Sequence, residues 1–132
     1  MTKKQIILIH VVACVIYTIY EIIGYFIRLD AKPLHLYLGL SFAFVRIVQF
    51  YYCYLLIFPL FGTKNKLFKL SLGLLSAFAL FIILRYTIEE VLFPYFLGFD
   101  NYNDGTSAKL YIGDNIYWGS PGITIAAIVW SI

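Results

Sequence analysis

The stretch IILRYTIEEVLFPYF, residues 82–96, sets Arg85, Glu89 and Glu90 inside a run otherwise apolar enough to be hidden from water. A guanidinium and two carboxylates in such surroundings have three chemical uses: pairing helices, receiving an ionic ligand, or moving protons. Arg85 and Glu89 stand at i and i+4 and share a helix face, while Glu90 points about 100° further round. Arg46 and Gln49 share a face of an earlier apolar segment, and Tyr17, Tyr20, Glu21 and Gly24 make a helical stripe on the first. At about 1.5 Å per helical residue, Arg46 and Arg85 fall near the middle of a membrane, with Glu21 and Glu89 about one to two turns above them. The expectation is that Arg85 and Arg46 pair with Glu89 and Glu21 across helices. Two roles stay open for Glu21, Arg46, Gln49, Arg85, Glu89 and Glu90: a structural ion-pair network that fixes register, or an intramembrane signal site.

Other chemistries find little support. No Gly-rich phosphate loop, no nucleophile with a base at recognisable spacing and no metal quartet is present. No catalytic residue and no cofactor is therefore assigned. Cys14 and Cys53 are isolated within apolar segments and read as inert thiols. Nucleic-acid binding needs a basic face open to phosphate, and none is visible.

The elements that must position these charges follow from composition. The chain has 132 residues, 62% hydrophobic and 13% charged, with a mean hydropathy of +0.86. A soluble domain is roughly 45–50% apolar and about 25% charged, so the expectation is an all-α integral membrane protein. Apolar segments over residues 5–27, 34–61 and 67–97 are each long enough to span, and none alternates as a barrel strand would. A fourth helix is expected over 120–132, with Ser120 as N-cap and Pro121 as its first residue. Those 13 residues make only about 20 Å of helix. The domain expected is thus a single bundle of four transmembrane helices, the fourth truncated at the C-terminus.

Lys3 and Lys4 before the first segment, and Lys64, Lys66 and Lys69 in the second loop, place the N-terminus and that loop in the cytoplasm. The first loop, with Arg28, Asp30 and Lys32, and the long third loop over 98–119 are then outside. The net charge of +3 is mostly this topology signal. The first segment is too long for a signal-peptide core and lacks a cleavage site. His10 and Gln5 are placed at the interface and His35, beside Pro33, in solvent. The third loop mixes Tyr102, Tyr111, Tyr117 and Trp118 with Asp104 and Asp114, and Asp104-Gly105 marks a turn. It is expected to lie over the bundle mouth, either as a lid or ligand surface or as an ordered cap.

Three stretches, FYYCYLLIFPLFGTKNKLFKLSLGLL, LRYTIEEVLFPYFLGFDNY and DNIYW before a fourth helix, together span most of the chain. In this order they resemble the N-terminal membrane region of LytS/YehU-type sensor histidine kinases, in the four-helix version common in Bacteroidetes. The resemblance implies a bacterial inner-membrane sensing and anchoring module with both termini cytoplasmic. It also implies a homodimer, and a kinase module beyond residue 132 that passes a phosphoryl group to a response regulator. Neither His10 nor His35 fits the phosphoacceptor. The resemblance implies no particular ligand. The alternatives are a small transporter or channel subunit, for which inverted repeats or broken helices are expected, and a structural membrane scaffold.

Overall fold

A computed structural model describes residues 2–28, 32–63 and 66–132. All regular structure among them is helical, in four long helices. Helix α1 is Lys3–Arg28. Helix α2 runs as an α-helical stretch Pro33–Tyr52, a π-helical segment Cys53–Ile57 and a last turn Phe58–Phe61. Helix α3 repeats that plan with Leu67–Tyr86, a π segment Thr87–Leu92 and a last turn Phe93–Leu97. Helix α4 is Ala108–Ser131. Three stretches, Lys3–Ile27, Leu34–Phe61 and Leu67–Leu97, are long and apolar enough to cross a membrane.

The chain divides into two units, Met1–Phe44 and Val45–Ile132. In the first, α1 opens on a reciprocal cap: Gln5 N–H donates to Thr2 Oγ1 at 3.3 Å and Thr2 N–H to Gln5 Oε1 at 2.8 Å. The rings of Tyr25 and Phe42, on α1 and α2, lie 6.0 Å apart. His35, expected in solvent, is buried at 7% exposure, and its Nδ1 accepts from Lys32 N–H at 3.2 Å. That bond satisfies a free amide at the start of α2, which is why the ring folds back onto the chain.

The second unit packs the remainder of α2, α3 and α4 around Cys53, Phe58, Ala77, Ile123 and Ala126. Both π segments precede a Phe-Pro pair. Proline has no N–H to offer the carbonyl four residues back, and its ring crowds that carbonyl. These carbonyls belong to Leu55 below Pro59 and to Glu90 below Pro94. The chain answers with a wider turn, in which Phe58 N–H reaches Cys53 O and Phe93 N–H reaches Ile88 O, five residues back. Gly98 closes α3 in the left-handed conformation, φ 74°, where a side chain would be strained.

The fourth helix corrects the boundaries expected from sequence. The connection covers residues 98–107, not 98–119, and the helix starts twelve residues before Ser120, capped by Ser107, whose Oγ accepts from Leu110 N–H at 3.2 Å. Pro121 lies inside the helix, and the Tyr117 carbonyl it would clash with accepts the Ser120 hydroxyl at 2.8 Å. Ser120 therefore repairs a helix interior instead of capping an end. At 24 residues α4 is about 36 Å long, against about 20 Å for the helix expected over 120–132. The expected turn at Asp104-Gly105 is present, closed by Thr106 N–H to Asn103 O at 2.9 Å. Asp30 and Lys64, used for orientation, lie outside the described residues.

Candidate functional site: an arginine-centred polar network

The last turns of α3, the following loop and the first half of α4 come together around Arg85, which is 4% exposed. Its Nε donates to Glu89 Oε2 at 3.0 Å, one turn on in the same helix. One terminal nitrogen donates to Asn115 Oδ1 at 3.1 Å on α4 and stands 3.7 Å from Asp114 Oδ2. The Tyr102 ring lies with its centroid 5.6 Å from the guanidinium carbon, within cation–π reach. The expectation of an Arg85–Glu89 pair across helices is corrected in one respect: the pair is within α3. The cross-helix partners of Arg85 are Asn115 and Asp114, because α4 extends far enough toward its N-terminus to carry both past Arg85.

Each carboxylate of the network has further donors. Glu89, fully buried, accepts from Asn101 Nδ2 at 2.7 Å. Glu90 turns toward the loop and accepts from Tyr102 N–H at 3.2 Å. Asp114 accepts from the Tyr102 hydroxyl and from Trp118 Nε1 at 3.0 Å. Burial pushes the Tyr102 phenol above its ordinary value, which keeps the proton on the oxygen that donates to Asp114. One guanidinium thus faces two carboxylates within 4 Å, with neutral donors supplying the rest.

A second polar layer lies on α2. One terminal nitrogen of Arg46 donates to Trp118 O at 2.5 Å. Gln49, fully buried, donates from Nε2 to Ala77 O at 3.2 Å, and its Oε1 has no hydrogen-bond partner among the described residues. That oxygen faces Gly122, where an added Cβ would stand 2.8 Å away. A side chain at that position would require Gln49 to shift. Glu21 belongs to the first unit, where it is 8% exposed and accepts from the Tyr17 hydroxyl at 2.5 Å.

The residues expected in a loop lid separate. Tyr102 and Asp104 are on the loop, with Asp104 exposed at its turn. Tyr111, Asp114, Tyr117 and Trp118 are on α4. Asp114 and Trp118 belong to the polar network, Tyr111 packs edge-on against Tyr102, and Tyr117 faces outward at 69% exposure. Asn101 and Asn115, both bonded into the network, were not singled out from sequence. The signal was present as spacing: Asn115, Gly119, Gly122, Ile123 and Ala126 are the buried stripe of α4. Gly, Asp, Asn, Ser and Pro along it read as loop punctuation. No family model, curated protein or solved structure matches the chain.

Proposed function

We propose that this chain is a membrane-embedded sensing and anchoring module, a bundle of four transmembrane helices in the bacterial inner (cytoplasmic) membrane with both termini cytoplasmic. It relays an external or membrane signal to a cytoplasmic histidine kinase, in a homodimer that serves a response regulator. The resemblance of the three stretches quoted above supports the kinase assignment. The observation that carries the sensing role is the Arg85 network, in which one buried cation ties α3 to α4 while Glu89 and Glu90 hold the connecting loop. A signal can shift a helix arrangement only through different affinity for two states. Ionic contacts that join a loop to two helices provide such a difference wherever a ligand competes for them.

The test uses the complete reading frame. Arg85→Gln and Glu89→Gln are each expected to change autophosphorylation in proteoliposomes by severalfold while membrane insertion stays intact. Leu75→Ile, at a side chain 64% exposed, leaves output unchanged. Wild-type output from both charge variants would reduce the network to a structural role. A reading frame with no kinase module would leave the scaffold or transporter alternatives.

A further inference from the structure

Beside the arginine network, and sharing Glu90 and Tyr102 with it, a cavity of about 580 Å³ opens between α3, the loop and the first turns of α4. Tyr86, Tyr102 and Tyr111 line it, and so do Glu90, Asp100 and Asp104. The rings of Tyr86 and Tyr111 meet at 88° with centroids 5.9 Å apart, and those of Tyr102 and Tyr111 at 66° and 4.7 Å. The three rings pack edge to face along one wall, an aromatic surface of the kind an organic cation can lie against. No lysine, arginine or histidine lines the cavity among the described residues. Its three carboxylates make no ion pair among those residues. Arg85 does not line it; it pairs with Glu89 and Asp114 and approaches only the Tyr102 ring, at 5.6 Å from the centroid.

The carboxylates are spread around the walls. They do not converge into a group that would hold one metal ion, and no such group of His, Cys, Asp and Glu occurs among the described residues. Dispersed negative charge with aromatic walls suits a cation whose charge is itself spread over several atoms. The rest of the lining includes Ile82 and Ile112, an apolar surface for a hydrocarbon body. The volume falls within the range of about 300–1,000 Å³ common for small-molecule sites.

We propose that this cavity binds a small organic ammonium group, its charge against the rings of Tyr86 and Tyr111 and the carboxylates of Glu90, Asp100 and Asp104, its apolar part against Ile82 and Ile112. The inference deepens the sensing role by naming the ligand class, and binding is measured without reference to kinase output, so that either can fail alone. The ammonium arrives on a free solute or on a lipid headgroup.

The probe is choline chloride, titrated calorimetrically into the full chain in a non-ionic detergent. Its uncharged isostere, with a tert-butyl group in place of the trimethylammonium, is the control. Saturable binding of choline and none of the isostere is expected. Tyr86→Leu and Asp104→Asn, both at exposed positions, should each weaken choline binding about two- to fivefold, as the loss of one cation–π or charge contact implies. Equal response to choline and isostere, no saturable response to choline, or unchanged affinity in both variants would overturn the proposal. Repeating the titration in phosphatidylglycerol and phosphatidylcholine nanodiscs assigns the source. Binding retained in both marks a free solute, and binding lost only in phosphatidylcholine marks the headgroup.

Discussion

Residues 53–61 of α2 and 87–97 of α3 are built on one local plan: a π-helical segment, a Phe-Pro pair and a short closing turn. Their contents differ. In α2 the segment buries Cys53 and Ile57 and is followed by buried Phe58, all in apolar contact. In α3 it buries Glu89 alone, and the turn after it buries nothing. The proline accounts for the backbone in both places, since it removes the same hydrogen bond in the same register. What holds the widened turn in position is packing in one case and ionic contacts in the other. Packing answers to shape. Ionic contacts answer to shape and also to anything charged that reaches them, which separates the α3 segment from the apolar joint in α2.

The largest expected difference between the two comes from Arg85→Ala. It leaves fully buried Glu89 and nearby Asp114 without their cation, and breaking a buried pair in this way costs about 3–5 kcal/mol. A clear fall in the thermal midpoint of the detergent-solubilised protein is expected, partly restored when Glu89→Gln is added. If the double variant loses as much as the two single losses combined, Arg85 and Glu89 are uncoupled and the contrast between the segments fails.

Next in size is Ile57→Ala in the apolar segment, expected to cost about 2 kcal/mol through the cavity it leaves. Because no charge is stranded, its loss in the same thermal assay should not depend on salt or on any substitution at Glu89. Gly73→Ala probes the same joint from the opposite side. The added Cβ would stand 2.9 Å from Ile57 Cγ2, and overpacking of this kind costs about 1–3 kcal/mol. Combined with Ile57→Ala, which removes both Cγ2 and Cδ1, the loss should shrink; strict additivity would show that the two side chains do not share that space.

The smallest effect belongs to the cap of α4. Ser107→Ala removes the oxygen that accepts from Leu110 N–H, a change worth about 1 kcal/mol. It should appear as faster hydrogen exchange in the first turn of α4, with the α2 segment unaffected.

Much of this architecture is written in patterns that sequence alone makes readable. The three long apolar segments match the three helices able to span a membrane, with ends at Phe61, Leu67 and Leu97 as read. Arg85 and Glu89 were legible as one face because helical spacing is local, although the pairing expected of them ran across helices. Arg46 and Gln49 were legible as one face, although their bonds to Trp118 O and Ala77 O go to backbone atoms that no residue type announces. The fourth helix was misread for a physical reason: apart from Ile123 its buried face is made of Asn, Gly and Ala, which pack closely against neighbours but resemble a loop when those neighbours are unknown. The π segments were not anticipated either. A proline is visible in a sequence, but whether the chain kinks, stops or widens depends on what packs around it.

Trp130, near the end of α4, stacks on Phe58 with centroids 5.8 Å apart, and Trp118 is held through its carbonyl by Arg46. The two anchor points are separated by about 18 Å of helix, with Pro121 between them. A rod pinned at two stations cannot slide past its support; it can only bow, and it bows where its own bracing is thinnest. Pro121 supplies that place, since the Tyr117 carbonyl is braced there by the Ser120 hydroxyl in place of a backbone amide. Bending of α4 between the two stations is therefore expected to concentrate at Pro121, with Ser120 setting the stiffness of the spring.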